Sequence, residues 1–244
     1  MRLLAWIPYC GAAPVPSALL ERWNLDPVLL IAFGVAAVAL QISRARVRRG
    51  SAISVLGLVG FLYISPFCAL GSALFSVRVI HDLILAAVLA PLSVATFRLD
   101  KTRLGIGLPV ITAIHALTFW LWHAPPAYAA AMSNDAVFWA MQLTIVGTAT
   151  IWWARVLQAA APAAVLSLLA TMVAMGALGA LLTFAPNAMY APHWLTTQTW
   201  GWSPLDDQQM AGIIMWAPAS AIYLLAALAL LYRMFGDKAI HEAA

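Results

Sequence analysis

The chain has 244 residues, 64% of them hydrophobic and only 9% charged, with a formal net charge of +4. A chain so poor in charge cannot close around one water-soluble core without leaving large apolar surfaces in water, so a membrane protein is predicted. The positive balance does not indicate nucleic acid, because the basic residues cluster between apolar runs, where they report orientation instead.

The N-terminal "MRLLAWIPYCGAAPVPSALLERW" has a short apolar run broken by Pro8. It reads poorly as a signal peptide and worse as a span, and is expected along the outer surface with Trp6, Tyr9 and Trp23 at the interface. Cys10 and Cys68 form no CxxC or CxxxC pair, so neither a disulfide framework nor a cysteine metal site is indicated. Seven stretches approach the length needed to cross about 30 Å of hydrocarbon: residues 27 to 43, 51 to 71, 76 to 97, 104 to 123, 135 to 156, 162 to 184 and 209 to 233.

Between these runs, Arg44, Arg46, Arg48, Arg49, Arg98, Lys101, Arg103, Arg155, Arg233 and Lys238 fall on one side, against Arg2, Arg22 and Arg78 on the other. By the positive-inside rule the N-terminus is outside and the C-terminus cytoplasmic. The predicted fold class is therefore all-α: a polytopic membrane protein of seven transmembrane helices in one membrane domain, 1–244. Residues 1–26 form an outer segment, 27–233 the bundle and 234–244 a cytoplasmic tail.

That orientation brings Arg78, His81, Asp82, His123, Asp135, His193, Asp206 and Asp207 to the outer face. Arg78, His81, Asp82 and Leu85 follow helical i, i+3, i+4, i+7 spacing, so one stripe carries a cation, an imidazole and a carboxylate. A buried Arg78 to Asp82 salt bridge with His81 as bystander, and a functional polar site, both fit this spacing.

His115 and His123 are eight residues apart, a rise of about 12 Å. Metal bonds near 2 Å hold donor atoms within roughly 4 Å of one another, so the two cannot share one ion. His115 is expected as an interhelical hydrogen-bonding histidine. His123 precedes Pro125 and Pro126, where the chain leaves the span, and reads either as an interfacial anchor beside Trp122 or as a rim ligand.

In the 185–208 connection, Met189 and His193 offer a thioether and an imidazole, a pair suited to copper. Trp194, Trp200 and Trp202 make an interfacial lid the alternative. "SPLDDQQ" reads as a helix start, with Ser203 as N-cap, Pro204 at the first helical position and Asp206 completing a capping box, leaving Asp207 free to recruit a cation or a partner. Pro218 is expected to kink the seventh span near Ile214 and Met215.

Several classes are set aside. The only lysines, Lys101 and Lys238, lie outside the bundle, so no Schiff-base chromophore fits. No HExxH, GxxxxGKS/T or basic-aromatic surface is present, and no nucleophile and base stand at motif spacing, so the chain is read as neither an enzyme nor a nucleic-acid binder.

"VRVIHDLILAAVLAPL", "WLWHAPPAYAAAM", "IWWARV", "LLTFAPNAMYAP" and "GWSPLDDQQMAGIIMWAP" resemble, in order and spacing, the CtaG family of bacterial cytochrome c oxidase assembly proteins, over roughly residues 24 to 233. The resemblance implies a seven-helix protein of the bacterial cytoplasmic membrane that helps a haem–copper oxidase mature, handling copper on the outer side. Its partners would be oxidase subunits or other assembly factors within the bilayer. Members resemble HMxQH in the third span; this chain has Val77, Val79 and Ile80 before His81. Val137 and Met141 stand near a histidine pair that members carry in the fifth span. His81 and His123 match.

With that set, His81 and His123 under the Met189 to His193 loop would pass weakly bound Cu(I) onward. Two alternatives stand beside this: a scaffold that binds oxidase subunits without metal, and a haem-binding electron carrier using His81, His115 or His123 as axial ligands.

Overall fold

A computed structural model describes residues 7–43, 47–102 and 104–242, with side chains as far as Phe235. All regular structure among them is helical: α1 Pro27–Ile42, α2 Arg49–Ile64, α3 Pro66–Ala73, α4 Phe75–Phe97, α5 Leu108–His123, α6 Pro125–Ala131, α7 Asp135–Gln158, α8 Ala161–Phe184 and α9 Pro204–Glu242.

Local chemistry sets most boundaries. Asp26 accepts from the Val28 N–H at 2.9 Å and Asn134 from the Val137 N–H at 3.1 Å, so both act as N-caps. Proline stands in the first turn of α1, α3, α5, α6 and α8, where its missing N–H costs nothing. Arg98 ends α4 in the left-handed conformation.

Four helices, Phe75–Phe97, Asp135–Gln158, Ala161–Phe184 and Pro204–Phe235, are long and apolar enough to cross a membrane. The chain is a membrane protein. The second expected span, 51 to 71, is broken: Ser65 and Pro66 divide it into α2 and α3, bent by 47°. Pro66 offers no N–H, a π turn over Gly60–Ile64 widens the helix just before it, and Ser65 caps α3 at the Phe67 N–H. A second π turn, Leu85–Leu89, precedes Pro91 within α4. The expected spans at 27 to 43 and 104 to 123 are helices of 16 residues, about 24 Å long, short of full bilayer thickness. Helix α9 begins at Pro204, ahead of the expected residue 209, and runs through Pro218 without a break.

Helices α4 and α7 occupy the centre. α2, α5, α8 and α9 surround them, and α1 touches chiefly α2, burying only Leu29. The closest crossing is α8 on α9. A Cβ at Gly179 would stand 2.7 Å from the Gly212 carbonyl oxygen, and one at Gly212 would collide with the Thr183 hydroxyl. Small residues let the two backbones touch, as helix pairs in lipid require.

Residues 7–26 fold onto the bundle. Tyr9 stacks on Phe138 at 5.1 Å and donates a 2.5 Å hydrogen bond to Asp26, the cap of α1. Tyr9 thus packs inward, whereas Trp23 is exposed as expected; Trp6 lies outside the described residues. The expectation for the cysteines is overturned: Cys10 and Cys68 are bonded, with Cα atoms 5.3 Å apart, joining this segment to α3. Spacing along the chain held no hint of it, because the partners meet only once residues 7–26 fold back.

Gly212→Ala should lower the melting temperature of the detergent-purified protein, by overpacking worth about 1–3 kcal/mol. Gly57→Ala, whose added Cβ meets nothing within 4 Å, should leave it unchanged. Tryptophan fluorescence on heating measures both.

Candidate functional site

The polar groups gather at the end of the bundle formed by residues 7–26, α3, the start of α4, α6 and the 185–203 connection. Arg48, Arg49, Arg98, Lys101 and Arg155 lie at the other end, where Gln158 bonds the Leu99 and Thr102 carbonyls and Arg155 holds Gln158 at 2.8 Å.

Helix α4 starts just after Leu74, which gives it no capping side chain. Asp207 supplies the cap from across the bundle, accepting from the Phe75 N–H at 2.6 Å, the Ser76 N–H at 3.2 Å and the Ser76 hydroxyl at 2.5 Å. The carboxylate also faces the positive end of the α4 dipole. Asp206 behaves as the motif predicts, exchanging bonds with Ser203 at 2.6 Å and 3.1 Å. The adjacent carboxylates therefore cap different helices, and Asp207 is not left open for a cation. Gln208 completes the arrangement by accepting from the Met189 N–H at 2.7 Å.

Phe75 lies at the centre of an aromatic box. Its ring stacks on Tyr190 at 3.7 Å and meets Tyr128 edge-on at 5.2 Å, with His193 and His123 at 5.9 Å and 6.5 Å. The Tyr128 hydroxyl and His193 Nε2 are 2.6 Å apart, and His193 Nδ1 lies 3.3 Å from the Ala73 carbonyl oxygen. A carbonyl only accepts, so Nδ1 carries the proton and Nε2 accepts from Tyr128. Tyr190 donates to the His123 carbonyl at 2.6 Å. Burial holds His193 down to about 3 and pushes the Tyr128 and Tyr190 hydroxyls up. His193 is thus a neutral bridge between the connection, α3 and α6. Met189 remains 38% exposed.

The stripe at the start of α4 is buried but not paired as the salt-bridge reading expects. Asp82 meets His81 Nδ1 at 3.6 Å and the Gln142 amide at 3.5 Å, and Gln142 accepts from Tyr63 at 2.9 Å. Arg78 makes no ion pair among the described residues. It is fully buried, its guanidinium lies 5.3 Å from the Phe138 ring centroid, and Nη2 reaches Cys10 Sγ at 3.7 Å. Its Nε and Nη1, like both ring nitrogens of His81, have no hydrogen-bond partner among the described residues. Gly71 makes the room, since a Cβ there would stand 3.0 Å from the guanidinium carbon.

His123 bonds through Nδ1 to the Phe119 carbonyl at 2.8 Å, so its Nε2 carries the free lone pair. His115 contacts Thr148 at 3.4 Å and stacks on Trp152 at 5.3 Å, as an interhelical histidine should. His81 packs against Tyr63 and Phe67, and His123 against Phe119 and Phe75, so the two imidazoles stand in separate aromatic surroundings. Among the described residues no group of three or more His, Cys, Asp or Glu is arranged to hold a metal. No four-ligand cage is assembled among the described residues.

The sequence reading missed Tyr128, Tyr190, Phe75 and Gln142. Tyr128 and Tyr190 lie inside the motifs "HAPPAY" and "PNAMY", so the signal was present. What it lacked was the fold that turns both hydroxyls onto histidine groups.

Asp207→Ala should lower thermal stability by about 1–3 kcal/mol, since it leaves two buried N–H groups unsatisfied. The folded state also holds His193 well below its unfolded value of about 6.5. Its stabilising contribution is then complete above pH about 6.5 and is lost as pH falls towards 3. Melting temperatures of the parent and His193→Gln proteins across that range should converge at low pH.

The chain matches the family described as cytochrome c oxidase caa3 assembly factor (Caa3_CtaG) over residues 102–237, a stretch that holds His123, Tyr128, Tyr190, His193 and Asp207. No curated protein and no solved structure shows significant similarity to it. With more than half of its length matched, and with the motif residues of α5, α6 and the α8 to α9 connection built into one site, the chain belongs to the family of cytochrome c oxidase caa3 assembly factors.

Proposed function

We propose that this protein assists the maturation of a haem–copper oxidase at the outer face of the bacterial cytoplasmic membrane, and that it passes copper onward without a catalytic step. The observation that carries the reading is the family match across the segment that builds the polar site. Seven spans are favoured because the four long helices, the bent α2 and α3 pair and the two 16-residue helices coincide with the seven apolar stretches. The orientation draws support from the basic residues gathered at one end. A disulfide at the opposite end, Cys10 to Cys68, suits an oxidising compartment.

For copper, the relevant feature is His123. A histidine whose Nδ1–H is held by a carbonyl offers Nε2 as donor, the arrangement metal-binding imidazoles favour. Met189 and His81 are the further donors proposed, and His193 supports the loop through Tyr128 and Ala73. Weak coordination by no more than these few soft donors suits Cu(I) and lets a recipient centre outcompete the carrier. A second reading, a metal-free scaffold for oxidase subunits, is favoured by the exposed Met189, Trp194, Leu195 and Trp202 around the same end.

Deleting the gene in its host should abolish oxidase activity while the oxidase haem absorbance persists, and added copper should restore activity. His123→Ala should reproduce the deletion. Full activity in the deletion strain would reject the assembly role; lost activity that copper does not rescue would leave the scaffold.

A further inference from the structure

The disulfide sits against a buried guanidinium that makes no ion pair among the described residues. Arg78 is fully buried, has no carboxylate within 4.0 Å among the described residues, and leaves Nε and Nη1 without partners. Its Nη2 contacts Cys10 Sγ at 3.7 Å, and its guanidinium lies against Gly71, three residues beyond Cys68 on α3. A buried unpaired charge is costly, and a neutral disulfide cannot offset it. Two thiolates could.

We propose that Cys10 and Cys68, when reduced, form a two-thiolate Cu(I) site whose negative charge is balanced by Arg78. The site is closed while the disulfide persists. A dithiol reductant opens it by exchange: its two thiols become a disulfide, and Cys10 and Cys68 each gain a proton and an electron as the bond between their sulfurs breaks. Cu(I) then displaces both protons and is bound as a linear bis-thiolate anion of net charge −1. The copper is not oxidised or reduced.

Geometry permits this. Metal–thiolate bonds of about 2.3 Å place two sulfurs up to about 4.6 Å apart, a separation that cysteines with Cα atoms 5.3 Å apart reach by side-chain rotation. Zn(II) wants four ligands and, among the described residues, finds no group of three or more His, Cys, Asp or Glu assembled there, so the site selects for an ion content with two soft donors. Both sulfurs are shielded, Cys10 at 7% and Cys68 at 0% exposure, which protects a bound Cu(I) from water. Access comes from a cavity of about 190 Å³ lined by Tyr9, Cys10, Arg22, Trp23 and Asn24. This site deepens the copper-handling reading, and its binding test does not depend on that reading.

The test titrates Cu(I), in competition with bicinchoninate, into the full-length protein in detergent, before and after reduction with dithiothreitol and its removal. Circular dichroism and tryptophan emission report folding. The expected result is one Cu(I) per reduced chain with two sulfur neighbours in X-ray absorption, and no such binding to the disulfide form or to zinc. Cys10→Ser and Cys68→Ser should each weaken binding at least about 100-fold, Arg78→Met at least about tenfold, and Arg78→Lys less than that. Gly57→Ala, remote from both proposed copper ligand sets, should leave the binding intact. Equal copper binding by both redox forms, retention in the double serine variant, or unfolding on reduction would each overturn the proposal and leave the pair a structural staple. If copper binds as expected but the deletion strain keeps full oxidase activity, the site stands and the assembly role falls.

Discussion

The carboxylate of Asp207 on the N-terminus of α4 is the contact on which the rest of this end of the protein depends. Helix α4 runs through the centre of the bundle, and its first turn has no cap of its own. By accepting from Phe75 and Ser76, Asp207 sets the register of α9 against α4. One turn further, that register decides where Arg78, His81 and Asp82 project. It also fixes Phe75 at the middle of the box that holds Tyr128, Tyr190, His123 and His193.

Around this anchor the protein uses polar groups sparingly and mostly to join segments that are distant in sequence. His193 links the 185–203 connection to α3 and α6, Tyr190 links it to the end of α5, and Gln208 holds Met189 in place. In an apolar surround each unsatisfied donor or acceptor is expensive, so such bonds lock the fold with few residues. Against that economy the unpaired nitrogens of Arg78 and His81 stand out. Arg78 lies where the bundle meets the folded-back N-terminal segment, and with His123 Nε2 these are among the groups with chemical capacity in reserve.

Much of the helical frame could be read directly. Apolar run length located α4, α7 and α8 to within about two residues, because the cost of exposing backbone polar groups in hydrocarbon leaves a helix as the only solution. The capping box at Ser203 and Asp206 was legible for the same local reason. The break at Ser65 and Pro66 was missed although a proline marked it, since composition over 51 to 71 stays apolar throughout and proline inside a span is often tolerated.

By itself, then, the sequence determined that the protein is a helical membrane bundle, which family it resembles, and that Arg78, His81, Asp82, His123, His193, Asp206 and Asp207 fall towards one end. These follow from hydrophobicity, charge asymmetry and short-range capping, all of which act within a few residues. Only the tertiary structure decided what each polar group does. Asp207 caps a helix 131 residues away at Ser76, and His193 accepts from a tyrosine 65 residues distant. Arg78 faces a disulfide in place of Asp82, and Cys10 finds Cys68 across 58 residues. Such pairings depend on how the helices are ordered around the bundle, and no periodicity within a single helix encodes that order.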